Sequence, residues 1–149
     1  MDKIDLGKAY PTFYIELGYT YAIQNQTEKA KSQYEKAISI IDKNPNFGYG
    51  IGFRFQKYAI LDYAIKAYSR AMELNPKLDY NFQMARIYGE QGDIDKMYRS
   101  YIKLIIEEKS SMSNVLRNFD DFVTEDPENE NNIKLKAILL EGAQKNPNL

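Results

Sequence analysis

Two short stretches contain residue types that could do chemistry. The first, "FGYGIGF" at Phe47–Phe53, spaces its glycines so that backbone N–H groups could approach a phosphate. A nucleotide loop also needs a preceding strand and a lysine followed by serine or threonine, and the sequence has neither here. The second is the acidic run Asp120, Asp121, Glu125, Asp126, Glu128 and Glu130. It lacks the spacing and central glycine of a calcium loop and reads as a solvated connection. The chain has no cysteine and no histidine. That removes thiol nucleophiles, disulfides, cysteine-based zinc sites and imidazole acid/base chemistry together. Carboxylate pairs for acid/base catalysis would need a cleft and a perturbing partner, and no such arrangement is recognisable. The sequence predicts no catalytic residue, no metal site and no cofactor.

What is left is aromatic. The 149 residues include thirteen tyrosines and seven phenylalanines, and a chain of this length can bury one substantial core as a single domain. Twenty basic and twenty-one acidic residues nearly cancel. Neither nucleic acid nor an anionic membrane is therefore an expected partner. No apolar run approaches the ~20 residues of a membrane span, and Met1–Tyr10 does not read as a signal sequence. The compartment stays open between cytoplasm and periplasm, since absent cysteine suits both and a signal could have been removed.

The aromatic residues recur at fixed spacing. Ala30, Tyr34 and Ala37 return thirty-four residues later as Ala64, Tyr68 and Ala71, and thirty-three residues after that as Met97, Tyr101 and Leu104. Each set is preceded by a second helical pattern: Tyr14, Leu17, Gly18 and Tyr21 before the first, and Met84, Ala85 and Tyr88 before a glycine turn at residues 89–93. Small residues at Gly18, Gly52 and Ala85 let two helices approach closely, as a helical hairpin requires. These residues resemble the tetratricopeptide repeat, a helix–turn–helix unit of about 34 residues.

The resemblance implies an all-α fold, a right-handed superhelical α-solenoid of antiparallel helix pairs in one domain over 1–149. Repeats fall at 11–44, 45–77 and 78–110, with a divergent capping pair at 111–149. Three departures stand out: Gly48 replaces a bulky residue, no glycine or asparagine turn separates the helices of the second repeat, and the third lacks a closing proline. In the last pair, Val115, Leu116, Phe119 and Phe122 predict one amphipathic helix. Ile133, Leu135, Ile138, Leu139 and Ala143 predict the buried face of another, ending before Pro147.

A member of this family is expected to be a non-catalytic scaffold that binds a protein or peptide in the groove formed by its first helices. The resemblance places Ile15, Tyr19, Ala22 and Ile23 there from the first repeat, Tyr49, Phe53, Gln56 and Lys57 from the second, and Phe82, Arg86 and Glu90 from the third. Such a surface would suit an extended peptide or a partner's helix held by aromatic anchors. Ile15 and Tyr19 replace polar residues with which some members grip a C-terminal carboxylate, so that role is disfavoured. The alternative is a structural or self-associating array, a homo-oligomer, in which the same aromatics meet another copy or further repeats. After a short lead, "MDKIDLGKA", the sequence stops at "NPNL", a spacer of the kind that joins one unit to the next, and "IYGEQGDIDKMY" and "NFDDFVTEDPENENN" resemble the large multi-repeat proteins common in Bacteroidota, so a fragment of such a longer solenoid is expected.

Overall fold

The computed structural model describes residues 10–107 and 112–147; the lead at 1–9 and the last two residues, on which the fragment reading partly rests, lie outside them. Among the described residues every regular element is helical. The chain divides into two compact units at Tyr80 and Asn81. The first holds α1 (Phe13–Ile23), α2 (Thr27–Lys43), a 3-10 turn (Pro45–Phe47), α3 (Gly48–Lys57) and α4 (Leu61–Leu74). The second holds α5 (Asn81–Glu90), α6 (Ile94–Ile106), the short α7 (Met112–Leu116) and α8 (Glu130–Lys145). The glycine run at 47–53 is thus helical, and all six residues of the acidic run are exposed.

The three hairpins turn in the same way. In each, two backbone bonds close the end of the first helix: Gln26 N–H to Tyr21 C=O and Asn25 N–H to Ala22 C=O, Ile60 to Phe55 and Ala59 to Gln56, Asp93 to Tyr88 and Gly92 to Gly89, all at 2.9–3.0 Å. This double closure needs a left-handed residue at its centre. Asn25 (φ 59°), Ala59 (φ 56°) and Gly92 (φ 78°) supply it. The second hairpin therefore has the turn its neighbours have, built on an alanine, at ~1–2 kcal/mol of steric cost that glycine would not incur. The carbonyl of the next residue then accepts the first bond of the following helix, from Ala30, Ala64 and Met97 in turn.

The second helices of the first unit end at Asn44 and Asn75, and α8 ends at Asn146. Proline follows each asparagine, and it pushes the residue before it out of the helical region. Asn44 and Asn75 are accordingly extended.

Packing within each hairpin depends on a tyrosine laid against a small residue. A Cβ built on Gly18 would stand 2.4 Å from the Tyr34 ring, and one on Gly52 would stand 2.6 Å from the Tyr68 ring. Ala85 and Tyr101, both buried, hold the matching positions in the third hairpin. At Gly48 a Cβ would meet the Ala71 methyl at 2.3 Å, so α3 starts pressed against α4 where a bulky residue could not fit. The space above is filled by Tyr80, whose ring lies 5.3 Å from that of Tyr68 and 5.9 Å from that of Tyr49.

The joint between the first two hairpins is polar at its edges. Glu16 on α1 accepts from Arg54 and from the Tyr58 hydroxyl. Glu35 on α2 accepts from Lys66 and Tyr63, each at 3.0 Å, and Asp42 accepts from Arg70 at 2.6 Å. Lys66 holds the Glu35 carboxyl below its usual range, while burial, aided by Glu35, pushes the Tyr63 hydroxyl up to about 12.

The second unit packs around Met97, Tyr98, Tyr101, Val115, Phe119 and Ile138. Phe119 meets Tyr98 and Tyr101 edge-on at 4.9 and 5.7 Å. The C-terminal pair differs from the sequence expectation in two respects. The amphipathic helix stops at Leu116, and residues 117–122 continue as turns. Asn118 bonds its side chain to the Asn114 carbonyl at 2.8 Å, the local competition by which asparagine ends helices. Val115 and Phe119 still reach the core, whereas Leu116 is exposed. In α8, Ile138 is buried and Leu135 half-buried, but Ile133, Leu139 and Ala143 face solvent. The helix is apolar on more than one side, and α6 covers only the side carrying Ile138.

Candidate functional site

The first helices of the first unit carry its aromatic surface. Tyr49 and Phe53, one turn apart on α3, lie with rings 6.1 Å apart and nearly parallel at 14°. Tyr49 is 46% exposed and Phe53 52%. Lys57, one turn further, is exposed and Gln56 is half-buried. On α1, Ile23 and Ala22 are exposed, while Tyr19 is half-buried with its ring stacked 4.2 Å from that of Tyr58. Tyr58 is fixed from its other end by its bond to Glu16, which raises the pKa of its hydroxyl.

Ile15 has no exposed surface. It lies one turn before Gly18 on the side of α1 that meets the Tyr34 ring, so it belongs to the core and offers nothing to a ligand. In the second unit, Phe82 is half-buried, with its ring edge-on to Tyr101 at 5.5 Å. Phe82 therefore supports α6 as much as it faces outward. Arg86 and Glu90 are exposed on the rim of a cleft of about 200 Å3 that also touches Arg117 and Asp121. Burial pushes the Tyr101 hydroxyl at its floor up to about 12, with Arg86 opposing the shift and Glu90 adding to it.

Sequence reasoning missed Glu16, Arg54 and Tyr58, which brace the aromatic face. Their separations of 38 and 42 residues follow no repeat period, so no spacing rule pairs them. The opposite surface, formed by α2 and α4, is charged and tied by Glu35–Lys66 and Asp42–Arg70. Among the described residues, no cluster of three or more acidic side chains is placed to hold a metal ion, and no helix is long and apolar enough to cross a membrane.

Two comparisons with known proteins bear on this geometry. Over 65 residues the chain is 29% identical to the general transcriptional corepressor trfA of Dictyostelium discoideum. The shared stretch is 42% of this chain and 5% of the corepressor's length. Residues 11–44, which are α1, its turn and α2, match the tetratricopeptide repeat family. In sequence and in its helix–turn–helix geometry, the first hairpin is similar to a tetratricopeptide repeat.

Proposed function

We propose that the chain is a non-catalytic protein-interaction module whose α1/α3 face receives a peptide or a partner's helix. The observation that carries this reading is the Tyr49–Phe53 pair: two large rings, stacked and half-exposed, on a face braced by the Glu16–Arg54 ion pair and the Glu16–Tyr58 bond. Rigid aromatic rings supply contact area at little entropic cost, which makes such pairs anchors for a partner. Lys57 adds a charge one turn beyond the rings, and Tyr19 and Ile23 extend the surface along α1. The match of the first hairpin to the repeat family and the likeness to a corepressor support a binding role of this kind.

The test is selection from a displayed random-peptide library, with the chain and its Phe53→Ala variant as separate targets. Peptides that bind the chain and lose binding to Phe53→Ala support the reading. Peptides that bind both equally refute it. Light scattering of the chain alone separates the self-association alternative, because a dimer that Phe53→Ala dissolves would put a second copy on this face.

A further inference from the structure

We infer that the small polar cleft of the second unit binds a free α-amino acid as its zwitterion, separately from the aromatic face of the first unit. The charges around it are balanced. Arg86 and Glu90 line it from α5, one turn apart, and Arg117 and Asp121 line it from the turns that follow α7. Each side therefore offers one guanidinium and one carboxylate to the same space. Met97 and Tyr101 of α6 complete the lining.

Packing fixes the two sides. A Cβ on Gly89 would stand 3.2 Å from the Phe122 ring, so the turn segment is pressed directly against α5. Phe119 holds the same segment on α6, with its ring 5.7 Å from that of Tyr101. The Arg117 guanidinium donates to the Ser113 carbonyl and to the Asn114 side chain, neutral groups that orient it without cancelling its charge. Tyr101 is 1% exposed. Burial dominates the raised pKa of its hydroxyl, and Arg86 and Glu90 act on it in opposite directions, so both charges stand close to one oxygen.

Size and charge together select the ligand. A cleft of about 200 Å3 lies below the ~300–1,000 Å3 of sites for drug-sized molecules and holds roughly seven water volumes, which suits a small amino acid. A ligand carrying only negative charge would face the two carboxylates, and one carrying only positive charge would face the two guanidiniums. A zwitterion gives each sign its complement through charge-assisted hydrogen bonds, its carboxylate to Arg86 and Arg117 and its ammonium to Glu90 and Asp121. Met97 and Phe122 supply apolar surface for a short uncharged side chain.

Titration of each standard L-amino acid, up to about 10 mM, into the isotope-labelled full chain tests this through its backbone amide shifts. At least one amino acid with a short uncharged side chain should shift the amides of 86–90 and 117–122 together and leave those of α1–α4 in place. Its N-acetyl and carboxamide forms each keep only one of the two charges and should bind at least ~10-fold more weakly. Arg86→Gln and Asp121→Asn should each weaken binding ~10-fold. Both positions are exposed, so circular dichroism should show the fold intact in each variant. Phe53→Ala should leave binding unchanged, which keeps this site separable from the α1/α3 face. The absence of a shift with every amino acid at that concentration would overturn the proposal, as would unchanged affinity in both charge variants. Equal binding of the N-acetyl form would overturn it too, because the cleft would then take the C-terminus of a peptide and not a free amino acid.

Discussion

Two glycines in α3, two residues apart, should respond to alanine with opposite sign. Gly50 is exposed, and a Cβ there would meet nothing within 4 Å. Gly50→Ala should therefore stabilise the first unit by ~1 kcal/mol, the difference in helix propensity. Gly52→Ala gains the same propensity, but its Cβ would stand 2.6, 2.7 and 2.8 Å from three atoms of the Tyr68 ring. Tyr68 is fully buried, so the ring has no free volume to move into and the backbones of α3 and α4 must part instead. Overpacking of this kind costs ~1–3 kcal/mol, which leaves a net loss of ~1 kcal/mol after propensity is subtracted. The two variants should thus differ by ~2 kcal/mol, or several degrees in melting temperature. Urea denaturation followed by circular dichroism measures both. A Gly52→Ala protein as stable as Gly50→Ala would refute the claim that the Tyr68 ring seals the contact. Adding Tyr68→Leu to Gly52→Ala should recover part of the loss, with a coupling of at least ~0.5 kcal/mol between the sites.

Other expectations follow from the turns, the titrating groups and the exposed rings. Ala59→Gly removes left-handed strain but loosens the unfolded chain, so it should stabilise by ~0.5–1 kcal/mol, whereas Gly92→Ala should destabilise; denaturation midpoints moving the other way would contradict the turn assignment. Tyr63 and Tyr101 hold their protons to about 12 against an ordinary 10, so the stability they carry is complete below pH 10 and is lost as pH rises from 10 towards 12. Ultraviolet titration should show late tyrosines, Tyr63 and Tyr101 among them, that ionise with unfolding, and ionisation of all thirteen near pH 10 in a folded chain would be the contrary result. Lys145 and Arg99 hold Glu141 down at about 2, so its share of stability is present above 4.5 and is lost as pH falls from 4.5 towards 2. Thermal melts across that window should decline for the chain and decline less for Glu141→Gln. Phe53→Ala should change stability by no more than ~0.5 kcal/mol, since its ring is half in solvent, and a cooperative loss beyond that would make Phe53 a core residue.

The repeat was legible because Ala30, Tyr34 and Ala37 and their later counterparts all serve the same contact, a ring against a small residue across a hairpin. That contact keeps the tyrosine at every recurrence, while the flanking alanines give way to Met97 and Leu104 in the third. The turn at Ala59 was not legible, since the usual signal is a glycine or asparagine and here two backbone hydrogen bonds hold an alanine in its place. The helix expected over Val115–Phe122 had the right apolar spacing, but the Asn118 side chain donates to the Asn114 carbonyl and residues 117–122 follow as turns. In α8, five aliphatic residues point in more than one direction, so spacing alone could not say which side α6 covers. The site shows the same limit: Ile15 and Tyr49 hold the same register thirty-four residues apart, yet one is sealed and the other is half-exposed. Exposure depends on what neighbours a residue, which a single register position does not carry.

The joint between the first two hairpins has a direction. In the five bonds described above, the carboxylates Glu16, Glu35 and Asp42 come from the first hairpin and the donors Arg54, Tyr58, Tyr63, Lys66 and Arg70 from the second. Individually such exposed pairs add little to stability. Together they encode order. A chain rebuilt with the first hairpin duplicated would set Glu16, Glu35 and Asp42 against Thr20, Gln24, Lys29, Ser32 and Lys36 in register, leaving Glu16 without its arginine and Glu35 without its lysine. The repeats are therefore not interchangeable modules: shuffling them would keep each hairpin's core and break the grammar by which one recognises the next.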